Sequence, residues 1–450
     1  MVKNMTEGNP VRLIFGFAIP IMLSSIVQQF YNITDTMIVG QFVGVNALAA
    51  VGSCGGVIGM VLGWAGGLTS GFSILIAKCF GSRDYRQMSN YFMNAVFLCI
   101  VIAVGMTTVM QILVPWLVDA INTPEELKAD VSMYIRISFW GIPGSFMYNT
   151  LSSVQRAMGD SKMPLVFLGI SVVFNLLMDL LFVGVFGWSV PGAALATILA
   201  QIFSGLLCLG YVMHRHKVLL TSSFKSALNL GKMGEMLKLG VPMALQFSIT
   251  SLGNVLIQSA LNALGTVYIT AFTASSKIQG IFMSMFSSIG AAASTYVGQN
   301  TGAGQMRRVR TGVRDCQVAS LILSVVAMIF LCLTGQYLVK IFSSDITGPI
   351  QEACNQYFML VPFFFPFLSA IFLYRNALQG MGYGFVPMLG GVGELIARTI
   401  SSMVLAPRLG FLGICWGEPL AWIFALVPLI PYYFYAIRKR IRMTEEQRKK

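Results

Sequence analysis

MPLVFLGISVVFNLLMDLLFVGVFG (163–187) is a run of 25 residues with a single charged side chain, Asp179. At about 1.5 Å per residue, a helix of this length exceeds the roughly 30 Å hydrocarbon core of a bilayer. The run lacks the ten-residue alternation of a barrel strand, so it reads as a membrane-spanning helix. Asn175 and Asp179 stand four residues apart and share one face of that helix. A carboxylate inside a bilayer costs at least about 2.5 kcal/mol. It demands a proton, a cation or a base.

The whole chain follows the same pattern. Of its 450 residues 56% are hydrophobic and 10% charged, and the mean hydropathy is +0.74. Soluble domains carry roughly 25% charged residues. The composition therefore predicts an all-α integral membrane protein with twelve transmembrane helices, at 11–39, 47–77, 91–117, 129–155, 163–184, 190–213, 239–262, 267–299, 315–341, 352–374, 385–407 and 411–437. The eight Cys are scattered through apolar runs with no CxxC spacing, which reads as small buried hydrophobes rather than staples or metal ligands.

Basic residues set the orientation. With both termini in the cytoplasm, the inner segments carry 24 of the 30 Lys and Arg, Arg375 among them, and the outer ones only Lys128, Lys340 and Arg408. Trp116, Trp188 and Trp416 then fall at outer interfaces, where such rings are enriched. The net charge of +13 is thus explained by membrane orientation and anionic lipid, without nucleic acid. The first span lacks a cleavage site after a short apolar core and reads as a retained helix. The expected location is the cell (plasma) membrane.

The chain is also a duplication. AKCFGSRDYRQM (77–88) lies over GQNTGAGQMRRV (298–309), with Gly81 over Gly302 at 221 residues. Pro143 and Pro366, Gly159 and Gly382, Pro164 and Pro387, and Gly187 and Gly410 all match at 223. Six spans per half give both halves the same orientation, so two six-helix bundles related by a pseudo-twofold axis along the membrane normal are expected. Residues 1–213 form the amino-terminal lobe, 214–238 a cytoplasmic linker, 239–437 the carboxy-terminal lobe and 438–450 a basic cytoplasmic tail.

A few polar residues inside the spans hold most of the functional information. Asp35, in YNITDTMIVG of the first span, and Asp179 have no Lys or Arg well placed to pair with them; Arg136 is the one basic residue left within the amino half. Protonation or cation binding explains them. Neutral oxygens from Asn149, Asn175 and Thr197 alongside the two carboxylates suit a hard cation such as Na⁺. Two close carboxylates equally share a proton. The carboxyl half does not copy this arrangement: at the repeat offset Asn175 falls on Arg398. There, GELIAR places Glu394 and Arg398 at i and i+4, the favourable order for a pair. Lys277, Glu418 and Gln246, with Glu394 and Arg398, are candidates for substrate contact or gating. No GxxxxGK[ST], GxSxG or metalloprotease motif is present, and the only His, His214 and His216, lie in the linker. No enzyme and no cofactor are expected.

PIMLSSIVQQFYNITDTMIVG, SVQRAMGDSKMPL, NLLMDLLFV and PGAALATILAQ, in that order, resemble the multidrug and toxic compound extrusion (MATE) family, and the likeness covers essentially the whole chain. The resemblance implies a cation-coupled antiporter, driven by Na⁺ or H⁺, that expels amphipathic and often cationic compounds by alternating access. It places the amino-lobe cation site on Asp35, Asn149, Asn175, Asp179 and Thr197. Some members carry a further acid in the seventh span; here 239–262 has none, which moves the expected coupling to the amino lobe. The expected partners are small amphipathic molecules and membrane lipid, with the chain acting as a monomer. The alternative is a flippase of a lipid-linked saccharide or other anionic amphiphile, for which Lys277 and Arg398 would meet a phosphate.

Overall fold

The computed structural model describes residues 4–43, 45–121, 123, 125–341 and 348–449. Of the charges assigned to the inner face, Lys3 and Lys450 lie outside this range, as do the side chains of Lys225, Arg448 and Lys449.

Helices make up nearly all of it, and the described residues contain no strand. The first half supplies α1 (Pro10–Phe42), α2 (Val45–Gly81), α3 (Tyr85–Ala120), α4 (Lys128–Trp140), α5 (Ile142–Ala157), α6 (Lys162–Asp179) and α7 (Ser189–Arg215). The second supplies α8 (Leu230–Leu264), α9 (Thr266–Gly302), α10 (Met306–Leu338), α11 (Gly348–Leu360), α12 (Phe365–Gly380), α13 (Phe385–Ile400) and α14 (Gly417–Lys449). Eleven stretches of the described helices are long and apolar enough to cross a membrane. The twelfth expected span, 129–155, is two shorter helices that meet at Gly141, with Pro143 in the first turn of α5. Proline lacks an N–H and is tolerated best in a helix's first turn, which is where Pro143 sits as the span restarts.

The repeat extends to element boundaries. The α2 and α9 limits differ by 221 at both ends (45 and 266, 81 and 302), and the α5 and α12 limits by 223 (142 and 365, 157 and 380). Both α6 and α13 run into a wider π turn, Leu180–Val185 and Ser401–Leu405. The turns after α5 and α12 need a left-handed residue, supplied by Gly159 (φ +88°) and Gly382 (φ +93°).

By internal contact the chain forms two compact units. One contains Leu23–Ala244; the other contains Asn4–Met22 together with Leu245–Lys450. The opening turns of α1 thus belong to the second unit and those of α8 to the first. Within the first unit, α2 and α8 cross through glycine. A Cβ on Gly71 would sit 2.5 Å from the Gly240 Cα, and one on Gly67 2.8 Å from the Ala244 Cα. Small residues allow this approach of backbones inside lipid.

The segment leading into α8 is tied to α3. Ser89 Oγ donates to the Leu219 carbonyl (2.7 Å), Asn94 Nδ2 donates to the Ala227 carbonyl (2.8 Å), and the Asn229 N–H donates to Asn94 Oδ1 (2.9 Å). The segment leading into α1 is tied to the second unit. The Met5 N–H donates to Gln299 Oε1 (2.9 Å), and its carbonyl accepts from Asn300 Nδ2 (3.0 Å). Arg308 Nη2 donates to the Gly8 carbonyl at 2.7 Å.

Candidate functional site

In the first unit, α6 buries Asn175 and Asp179 on one face, as their spacing requires. Asp35, on α1, faces Asp179, and the two carboxyls lie within hydrogen-bonding reach of each other. Apart from that contact, Asp35 Oδ1 and both Asp179 oxygens have no hydrogen-bond partner, and neither does Asn175 Nδ2. Asp179 is 1% exposed. No Lys or Arg pairs with either acid among the described residues.

Two tyrosines complete the surroundings. The Tyr31 hydroxyl donates to Thr197 Oγ1 at 3.1 Å, and Tyr31 stands beside both carboxyls, as does Tyr134 of α4. Thr197 therefore joins the cluster through Tyr31. Asn149 does not hydrogen-bond to either acid; its Nδ2 donates to the Ser145 carbonyl of its own helix at 2.9 Å. Tyr31 was legible, since it precedes Asp35 by four residues and shares its face. Tyr134 carried no such signal. Arg136, two residues further on, is exposed, and its carbonyl accepts from Gln111 Nε2 at 2.7 Å.

The second unit buries a different cluster. Arg375 of α12 donates to Glu394 of α13. Arg398 reaches Glu394 Oε2 at 3.7 Å and Glu418 Oε1 at 3.2 Å. The expected contact of Glu394 with Arg398 is present, but each has a closer partner. Thr250 of α8 adds a long bond to Glu394 Oε2 (3.5 Å). Assigned by hydrogen-bonding chemistry, the Gln246 amide oxygen is the atom that faces Arg375, accepting from Nε at 3.3 Å and Nη1 at 3.0 Å. Gly253 gives Arg398 its room on α8; a Cβ there would meet the Arg398 Cδ at 2.8 Å. Lys277 lies exposed on α9.

Arg375 corrects the sequence reading. The charge asymmetry of the sequence places it among the inner segments, yet it is 8% exposed within α12 and holds Glu394. Ending the tenth span at a charged residue concealed it. The helix in fact continues to Gly380, past Arg375.

Two arginines against two glutamates leave the second cluster electrically balanced, while the first holds two acids and no base.

The MatE family model matches residues 20–181 and again 242–407, one copy in each half. The chain belongs to the MatE family. It is a transporter and not an enzyme, as the resemblance in the sequence implies. A probable multidrug resistance protein, YpnP of Bacillus subtilis (strain 168), is 29% identical over 446 residues, covering 99% of each chain. A second from the same organism, YoeA, is 24% identical, covering 94% of this chain and 93% of its own. An outward-facing structure of a multidrug resistance MATE family transporter of the MOP superfamily matches with a TM-score of 0.88 at 20% identity, over 97% of this chain and 98% of that one. The MatE fold and the multi-pass membrane character follow.

Proposed function

We propose that this MatE protein exports amphipathic, cationic compounds from the cell in exchange for protons, by alternating access, with Asp35 and Asp179 as the coupling pair. It acts as a monomer in the cell membrane, with both termini in the cytoplasm. One observation carries the reading: the buried Asp179 carboxyl and the half-buried Asp35 carboxyl stand together, and no Lys or Arg pairs with either among the described residues. Neighbouring carboxylates in low dielectric repel strongly, so the pair accepts one positive charge. A proton satisfies it directly through the contact of the two carboxyls. A bare Na⁺ needs several further oxygens; Thr197 Oγ1 already accepts from Tyr31, while Asn149 bonds back to its own helix through Nδ2 alone and keeps its amide oxygen. Proton and cationic cargo then compete for the same negative charge, which makes exchange obligatory. The multidrug names of the relatives support cargo of this class. In the second unit, Arg375 and Arg398 are both committed to glutamates, so they offer no ready cradle for a phosphate.

The test is flux of a fluorescent lipophilic cation in proteoliposomes, with pH and Na⁺ gradients imposed separately. Transport follows the pH gradient, and Asp35→Asn and Asp179→Asn each reduce it to the level of empty liposomes while elution as a folded, monodisperse protein is kept. Flux driven by Na⁺ alone contradicts proton coupling. Wild-type flux in either folded variant removes the pair from the mechanism.

A further inference from the structure

The two units use corresponding surfaces differently near their basic ends. In the first, Ser89 of α3 is fully buried because the short helix Lys217–Leu220 after α7 folds back over it. The residue 221 positions on is Arg310 of α10. The chain after α14's equivalent point does not fold back; it continues as helix to Lys449, and Arg310 is left exposed. One turn along, Arg314 takes the place of Met93. Arg310 has no carboxylate partner among the described residues, whereas Arg314 holds Asp315 at 2.9 Å and Arg307 holds Glu445 at 2.7 Å. Beside Arg310 lies Tyr433, a buried ring of α14 that packs 5.0 Å from Tyr374 of α12.

The stripe then becomes apolar. Val318, Leu321, Ile322 and Val325 follow Arg310 and Arg314 at spacings of three and four, so all six share one helix face. All four are exposed. Arg310, without a carboxylate partner among the described residues, and Arg314, whose exposed and therefore weak bond to Asp315 leaves Nη1 free, stand one turn apart above a strip of bare aliphatic surface and together complement one molecule type in both charge and length. We propose that this face of α10 seats an anionic phospholipid of the leaflet at the basic side, with the headgroup phosphate on Arg310 and Arg314 and an acyl chain along Val318–Val325. General attraction of basic residues to that leaflet does not explain the position, since the equivalent face of α3 carries Ser89 and Met93.

Native mass spectrometry of the purified full chain, titrated with phosphatidylglycerol or phosphatidylcholine, tests the assignment. Each arginine near such a surface is worth about fivefold in affinity. The double variant Arg310→Gln, Arg314→Gln therefore binds its tightest phosphatidylglycerol about thirtyfold more weakly. Arg310→Lys retains most of the binding, and the control pair Arg86→Gln, Lys217→Gln, on the first unit, retains all of it. Equal losses in the two double variants reduce the effect to diffuse charge and overturn the site. So does an absence of preference for phosphatidylglycerol over phosphatidylcholine in the wild type, or an unchanged affinity in the arginine variant, which leaves the face to another anionic partner.

Discussion

Arg398 joins two acids of the second unit, since it touches both Glu394 and Glu418 while only 3% of its side chain is exposed. Removing it leaves the half-buried Glu418 without its partner. Breaking a buried pair in this way costs about 3–5 kcal/mol, whereas removing both charges is far less harmful. Arg398→Gln should therefore lower the unfolding temperature in detergent sharply, and adding Glu418→Gln should recover more than half of the loss. Additive effects in that double-mutant cycle would show that the two residues are not coupled. The polar residues were legible in the sequence to different degrees for physical reasons. Asp35 and Asp179 stand out because a bare carboxylate in an apolar run has no bland explanation. The Glu394–Arg398 contact was legible because it is local, at i and i+4. Glu394's closer partner, Arg375, lies 19 residues away across a helix–helix contact, and no periodicity marks such a pairing.

Element boundaries were legible wherever backbone chemistry enforces them. Pro143 and Pro366 break two spans, and Gly159 and Gly382 take left-handed turns, so these landmarks keep their spacing in sequence and structure alike. Pro143 marks the break of 129–155 into α4 and α5, although the residues on both sides of Gly141 are apolar enough for one continuous span. Glycines within helices divide by what they face, which the sequence does not show. At Gly71 an added methyl would fall 2.5 Å from the Gly240 Cα, while at Gly59 it would meet nothing within 4 Å. Overpacking of this kind costs about 1–3 kcal/mol, and a glycine in open helix gains about 0.5–1 kcal/mol on becoming alanine. Gly71→Ala should therefore lower the melting temperature of the detergent-purified protein, and Gly59→Ala should hold or raise it. A stable, fully active Gly71→Ala protein would mean that α2 and α8 do not depend on this close approach.

At the scale of the molecule, the repeat is visible in sequence, but the allotment of each segment to a packed unit is not. The division falls at Met22 and Ala244, both inside long apolar helices, where nothing in composition changes. Its consequence is physical. The core of the second unit includes Met5, Ile14, Phe17 and Ala18 from the start of the chain. That of the first includes Met233 and Met236 from the linker stretch 214–238 and Ala244 from beyond it. Neither half of the sequence holds a complete core. If the chain is cut between Thr221 and Ser222, the 222–450 fragment lacks buried Met5 and leaves Gln299 and Asn300 without the Met5 backbone they bind. The 1–221 fragment leaves Asn94 without Ala227 and Asn229, and buried polar groups left unpaired cost about 1–3 kcal/mol each. Each fragment expressed alone should be degraded or should aggregate on extraction. Co-expressed, the two should co-purify as a folded complex, because every missing segment is then supplied by the other fragment. Size-exclusion profiles and limited proteolysis in detergent distinguish the outcomes. A 222–450 fragment that is monodisperse and protease-resistant by itself would show that the opening of α1 is dispensable to the second unit's core.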